Sequence, residues 1–251
     1  MRFKYNKEIE FFLKRFIFPE KFLHKKRLER SIKNLDEAEI ELVKNFIKPQ
    51  TDSIDVGVYR GVYSYEMSKY SEFVHSFEPN PVIFNDLKKN LTKLCYNIKL
   101  YNCALSNQNT VMDLKVPVRN SKFNKKNYEE YYEMGKATIH IENNFQNFEK
   151  IEIKTKKLDE INFENRISFI KIDVEGHEKE VIEGGLDIIK EFKPKLLVEI
   201  EKKYTKKNVS TTINYINSLG YNSFIYINNS LKKTEDIKEL DIYNNYIFLP
   251  I

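Results

Sequence analysis

Residues 169–185 read FIKIDVEGHEKEVIEGG. The first part, from Phe169 to Ile172, is an apolar run broken by a single lysine, as in a strand covered on both faces. The second part, with its continuation, spaces Val181, Ile182, Leu186, Ile189 and Phe192 along one face of a helix. Where strand meets helix stand Asp173, Glu175, His177 and Glu178. Three carboxylates and an imidazole at such a junction cap a helix or form a reaction centre.

The same strand–turn–helix rhythm runs outward in both directions. Short apolar segments at 52–56, 73–78, 98–104, 167–173 and 195–200 read as strands. Between them lie helical patterns: Ile83, Leu87, Leu91 and Leu94, then the 181–192 stripe, then Val209, Ile213, Ile216 and Leu219, closed by Gly220. This alternation predicts right-handed βαβ units and a parallel sheet with helices on both faces. After Gly220 the pattern changes to YNSFIYI and YNNYIFL, joined by the polar connector NNSLKKTEDIKELD. The connector has no strong helix, so the last strand is free to run antiparallel.

Two regions stand outside the rhythm. Residues 1–48 read as a helical extension before a main domain at 49–251. Ile9, Phe12, Leu13, Phe16 and Ile17 form one stripe that Pro19 stops; a second helix begins near Asp36, with Glu39 three residues on, and ends before Pro49. Such a stripe can pack on the main domain, join a second copy into a homo-oligomer, or lie on a membrane surface beside HKKRLER. Residues 117–150, polar and tyrosine-rich, replace an ordinary crossover helix and predict a lid or substrate wall.

Lys and Arg number 42 against 37 Asp and Glu, a net charge of +5. The two signs are interspersed, which reads as a basic solvated surface; it suits an anionic small-molecule ligand and lacks the charge block of a nucleic-acid arm. No apolar run is long enough to form an integral membrane segment. The N-terminus is broken by charges throughout, unlike a secretory signal, and Cys95 and Cys103 lack the CxxC spacing of a metal or redox site. A cytoplasmic location is expected.

The first strand runs into DVGVYRG, residues 55–61. Gly57 and Gly61 permit a tight turn and a close backbone approach to a ligand. The second strand ends in FEPNP, placing Glu78 21 residues after Gly57 (78 − 57). An acid at that distance can accept both hydroxyls of a ribose. A nicotinamide dinucleotide and S-adenosylmethionine (SAM) both carry such a ribose. The dinucleotide fingerprint G-x-G-x-x-G is absent, and an Asp at the loop's start repels a pyrophosphate while suiting a cationic sulfonium ligand.

In order, DVGVYRG (55–61), SFEPNP (76–81), NCALS (102–106), LDE (158–160), FIKIDVEGHEKEVIEGG and PKLLVEI (194–200) resemble the FkbM family of SAM-dependent methyltransferases. The resemblance spans about residues 52–201, and its distinguishing blocks are FEPNP and KIDVEGHE. It implies the class I methyltransferase fold: a Rossmann-like α/β domain with a seven-stranded, mostly parallel sheet whose last strand is antiparallel. It also implies methylation of sugar hydroxyls, on nucleotide-linked sugars or on precursors of surface polysaccharides. By motif position Asp55 and Gly57 face the methionine moiety, Glu78 the ribose, Asn80 the rim of that pocket and Ala104 the adenine. Val58 and Tyr59 stand where the family loop usually has a small residue and an Asn.

A sugar hydroxyl is a poor nucleophile at neutral pH and needs a base or a metal. Asp173, at a strand end facing the cleft beside the sulfonium, and His177, whose ordinary pKa suits base work, are the candidates, with Glu175 beside them. Asp173, Glu175 and Glu199 are also a candidate oxygen-ligand set for a divalent cation, while Glu178 is expected to serve only as a helix-end charge. Two other functions stay open: an NAD-dependent nucleotide-sugar oxidoreductase, and a non-catalytic glycan-binding protein on the same fold.

Overall fold

The computed structural model describes residues 20–34, 37–118, 134–139, 147–203 and 209–251. The expected helix over Ile9–Ile17, the helix start at Asp36 and most of the 117–150 insertion lie outside them.

The chain opens with helix α1 (Glu20–Lys33), then a 3-10 turn (Ala38–Leu42) continued by the short helix α2 (Val43–Phe46). Strand β1 (Asp52–Val56) leads into α3 (Val62–Met67), β2 (Val74–Phe77), α4 (Pro81–Leu94) and β3 (Ile98–Tyr101). Three further strands follow: β4 (Ala104–Leu105), β5 (Val111–Pro117) and β6 (Phe148–Lys156). The remainder is β7 (Ile167–Ile172), α5 (Glu178–Glu183), α6 (Leu186–Phe192), β8 (Lys195–Glu199), α7 (Val209–Ser218), β9 (Tyr221–Ile227), β10 (Ser230–Lys233) and β11 (Asn245–Pro250).

The main sheet has the order β10-β9-β11-β8-β7-β1-β2-β3. The pairs among β3, β2, β1, β7 and β8 are all parallel, and β11 is antiparallel to both β8 and β9. The chain order reverses between β1 and β7, so the cleft above their carboxyl ends is the topological switch point. Residues of β1, β7 and β8 alternate between two cores. Ile54, Ile170, Leu196 and Val198 meet α5, α6 and α7. On the other face Phe169, Leu197 and Ile247 meet Leu28, Val43, Phe46 and Leu87 from α1, α2 and α4. The described part of the N-terminal segment therefore packs on the sheet. Each fully buried large apolar side chain contributes about 1.5–3 kcal/mol.

Four elements differ from expectation. The sheet has eight strands rather than seven, because β10 forms within the polar connector. It pairs with β9 across a two-residue turn, Asn228–Asn229, both in the left-handed region at φ 50° and 57°. That is a type I′ hairpin, which asparagines favour; Ser230–Lys233 is too polar to show strand periodicity. The segment at 98–104 splits: Asn102 donates to the carbonyls of Glu78 and Pro79, and β4 then leaves the main sheet to pair with β6. A small second sheet, β4-β6-β5, was not expected. The helix at 178–192 breaks at Gly184–Gly185, where the backbone of Ser106 comes so close that a Cβ on Gly184 would lie 2.0 Å from its carbonyl oxygen.

Candidate active site

The loop after β1 is shaped by contacts with two neighbouring strand ends. The Gly57 amide donates to the Phe77 carbonyl (3.1 Å), and the Asp173 amide donates to the Val56 carbonyl (2.9 Å). Gly57 takes φ 87°, and a Cβ there would lie 1.8 Å from the Asp173 carbonyl oxygen, so only glycine fits. Gly61, at φ 74°, lies against Leu87 and Leu91 and lets α3 start close to α4. Between the two glycines Tyr59 is also left-handed, at φ 47°, a conformation that favours Asn over an aromatic residue.

Glu78, at the end of β2, is held by backbone donors on both oxygens. Tyr59 N donates to Oε2 (3.0 Å) and Asn80 N to Oε1 (2.8 Å). Each oxygen keeps acceptor capacity for a second donor. Burial pushes the carboxyl up to about 7, against the pull of the two amides, and Asp55 and Asp173 add to the rise. Asn80 is the N-cap of α4: its Oδ1 accepts from Val82 N (3.0 Å), with Pro81 at the first helical position. Its buried Nδ2 has no protein partner.

Across the switch point stands Asp173, just past β7. Its Oδ2 accepts from the Lys171 ammonium at 2.7 Å. The lysine side chain is 5% exposed and the aspartate 28% exposed, so the pair is buried on the lysine side and open on the aspartate side. Burial alone would lower the Lys171 pKa, but Asp173, Asp55 and Glu199 outweigh it and the pKa is raised. The ammonium also lies 4.7 Å from the ring centroid of Tyr63, whose hydroxyl donates to Glu37 Oε2 (2.8 Å). Glu199 is pushed up, first by burial and then by Asp173.

Asp55 lies beneath this pair rather than in the cleft. Its Oδ2 accepts from Ser64 Oγ (2.5 Å), which also pairs with Ser76 Oγ (2.8 Å). Among the described residues Oδ1 has no hydrogen-bond partner, and burial raises the carboxyl to about 6. Gly57, Glu78, Ala104, Asp173, Glu175 and His177 line one common cleft. Asp55, Gly61, Asn80 and Glu199 stand behind it.

The turn after Asp173 is tight. Glu175 (φ 54°) and Gly176 (φ 100°) are both left-handed, and the Glu175 carbonyl accepts from Thr138 Oγ1 (2.7 Å). Thr138 also exchanges backbone hydrogen bonds with Lys115 on β5, so residues 134–139 are stitched to the second sheet. Gly135, Ala137 and Ile139 form one wall of the cleft. His177 is buried, with Nε2 2.9 Å from Ser106 Oγ and Nδ1 3.7 Å from Glu180 Oε2. Glu178 is not a solvated helix-end charge: it is buried, its Oε1 accepts from Gly176 N (2.8 Å), and burial pushes it up to about 8.

The expected cation site at Asp173, Glu175 and Glu199 does not form. Among the described residues no cluster is arranged to hold a metal ion. The positive charge against Asp173 is Lys171, a residue of this chain that the sequence reading passed over. Its signal was a lone lysine inside an apolar strand.

Among the described residues no helix is long and apolar enough to cross a membrane. The profile of the Methyltransferase FkbM domain matches residues 55–223. No curated protein matches the chain significantly. Among solved structures, a methyltransferase FkbM from Methylobacillus flagellatus KT aligns with TM-score 0.50 and 16% identity over 84% of this chain. The chain spans only half, 50%, of that longer chain. An rRNA methylase from Streptococcus thermophilus aligns over 84% of this chain and 93% of its own, at 11% identity and TM-score 0.46. SMU.1697c from Streptococcus mutans, in complex with S-adenosylhomocysteine (SAH), aligns over 84% of this chain and 93% of its own, at 10% identity and TM-score 0.46. With the sheet order and the matched domain together, the chain has the class I SAM-dependent methyltransferase fold and belongs to the FkbM methyltransferase family.

Proposed function

We propose that the protein is a SAM-dependent O-methyltransferase acting on a sugar hydroxyl, either of a nucleotide-linked sugar or of a surface-polysaccharide precursor. The observation that carries the reading is one cleft that joins the Glu78 cradle to Asp173 across the switch point. The residues present fit an adenosyl ligand. Glu78 offers two oriented oxygens to a ribose diol. Phe77, Ala104 and Leu105 offer apolar surface to a purine. The Gly57 turn leaves backbone space, and the unpartnered Oδ1 of Asp55 behind it suits a cationic ligand group. When bound, SAM supplies an electrophilic methyl group.

The chain's own part is to orient the acceptor and deal with its proton. We assign the contact with the acceptor hydroxyl to Asp173. Lys171 holds Oδ2, and the acceptor hydroxyl's hydrogen bond is assigned to the other carboxylate oxygen. His177 is assigned the second place as base, because its ring is turned onto Ser106. Glu175 lies at the rim on the strained turn and is assigned to acceptor binding. Loop residue Tyr59 keeps its N–H on Glu78 despite its bulk, which favours a working cofactor loop over a degenerate one.

Calorimetric titration with SAH and with NADH tests the cofactor. Binding of NADH alone refutes this reading in favour of an oxidoreductase, and binding of neither favours a non-catalytic glycan binder. A screen of nucleotide sugars with methyl-labelled SAM tests the acceptor, and label found only on non-carbohydrate acceptors refutes the sugar assignment.

A further inference from the structure

Most of the chain's excess charge sits on one helix. Lys21, Lys25, Lys26, Arg27, Arg30 and Lys33 of α1 face only two acids, Glu20 and Glu29. That is net +4 in 14 residues, against +5 for the whole chain, which leaves 5 − 4 = +1 for the other 237. Glu29 is already matched by Lys26 (3.1 Å) and Lys25 (3.8 Å). The inner face of α1 is committed: Leu28 is buried, Ile32 packs on the same core, and the helix lies against α3 and α4.

The outer face has a defined composition. At 100° per residue, Phe22, Lys26, Arg30 and Lys33 fall within roughly 80° of the helix circumference. All four are exposed, Phe22 at 42%. The Lys26 ammonium lies 5.8 Å from the Phe22 ring centroid. An exposed aromatic ring among cations on one helical face suits the headgroup layer of a bilayer, where the ring enters the interface and the cations meet lipid phosphates. A nucleic acid would need a basic track continuing over other elements, whereas the other 237 residues together carry a net charge of only +1.

We propose that the outer face of α1 is a docking surface for an anionic lipid membrane. The proposal goes beyond the methyltransferase reading and does not depend on it. The test is co-sedimentation of the full chain with vesicles of phosphatidylcholine alone and of phosphatidylcholine with one-third phosphatidylglycerol, at low and high salt. The expected result is partition onto the anionic vesicles only, weakened by salt. Lys26→Glu, Arg30→Glu and Lys33→Glu together should lower that partition by at least about 100-fold, with an unchanged melting temperature as the folding control. Phe22→Ser alone should lower it several-fold. No partition of the unmodified protein at low salt, or partition unchanged in both variants, overturns the proposal. Tighter binding to duplex RNA than to the vesicles, measured at the same salt, also overturns it.

Discussion

Replacing Lys171 by Met removes the positive charge that lies against Asp173 among the described residues while keeping most of the length of the side chain. In the protein the ammonium sits 2.7 Å from Asp173 Oδ2 and is raised in pKa by Asp173, Asp55 and Glu199 despite burial. At an effective dielectric of about 20, Coulomb's law gives roughly 6 kcal/mol for a pair at that distance. Desolvation takes back much of it. Removing one partner of a buried pair nevertheless costs about 3–5 kcal/mol, because the other charge is stranded. Asp173 is 28% exposed and water screens it in part, so a loss of about 3 kcal/mol is expected at pH 8.

The loss should depend on pH in a definite direction. A lysine with a raised folded pKa contributes fully below its unfolded value near 10.4, so the unmodified protein keeps this contribution from pH 5 to 9. Without the lysine, Asp55 loses the cation that opposes its burial, and its folded pKa rises further above the unfolded value near 4. Such groups hold protons more tightly when folded, so stability falls as pH rises. Lys171→Met should therefore be clearly less damaging at pH 5 than at pH 8. Urea unfolding at both values measures it. Adding Asp173→Asn to Lys171→Met should recover most of the loss, giving a coupling energy of about 3 kcal/mol. A loss below about 1 kcal/mol at pH 8, or one equal at both pH values, refutes the reasoning.

Other outcomes follow from the same geometry. Gly57→Ala should destabilise the fold by more than about 2 kcal/mol and abolish SAH binding, since its Cβ would meet the Asp173 carbonyl at 1.8 Å; near-normal unfolding in urea would refute this. Glu78→Gln must turn an amide N–H₂ toward Tyr59 N or Asn80 N, leaving one buried donor unsatisfied, and should weaken SAH binding by about 10–100-fold in calorimetry. In the unmodified protein without ligand, burial raises Asp55 to about 6, Glu78 to about 7 and Glu178 to about 8. The folded state thus binds more protons, and the melting temperature should be lower at pH 8.5 than at pH 5.5; a flat or rising profile counts against these shifts. On an identified acceptor, Asp173→Asn should remove turnover, whereas His177→Ala should act mainly by lowering stability about 1–3 kcal/mol through the orphaned Ser106 hydroxyl; the reverse pattern would make His177 the base.

Much of the fold was legible because its strands are buried on both faces. Such strands appear as plain apolar runs, and the turns between them carry glycines and acids at fixed distances. Edge and surface elements were harder. Strand β10 was hidden by Ser230–Lys233, although the Asn228–Asn229 turn announced it. Strand β6 shows clean alternation in EKIEIKTK, but its partners β4 and β5 are distant or short. In the site, Glu78 and Asp173 were readable from strand ends. Which way a side chain points from a strand end was not: Asp55 turns down to Ser64, and Glu199 stands behind Asp173. Glu178 looked solvated by composition, and the left-handed Glu175–Gly176 turn buries it. Lys171 was missed because a lysine in an apolar run suggests a flaw rather than a partner, although its i, i+2 spacing along the strand puts it on the same face as Asp173.

The central place of β11 has a consequence for how this chain is made. Tyr246, Ile247 and Phe248 are fully buried between β8 and β9, yet β11 is completed only 51 residues after β8 ends (250 − 199). At about 5–20 residues per second, a ribosome takes roughly 3–10 s to cover that distance. During that interval β8 presents Leu196, Leu197 and Val198 with one open hydrogen-bonding edge, the kind of surface that pairs with other nascent chains. The sheet therefore closes only after β11 has left the ribosome. Conditions that slow translation of the stretch between β8 and β11 should act on the yield of soluble protein before they act on anything in the cleft.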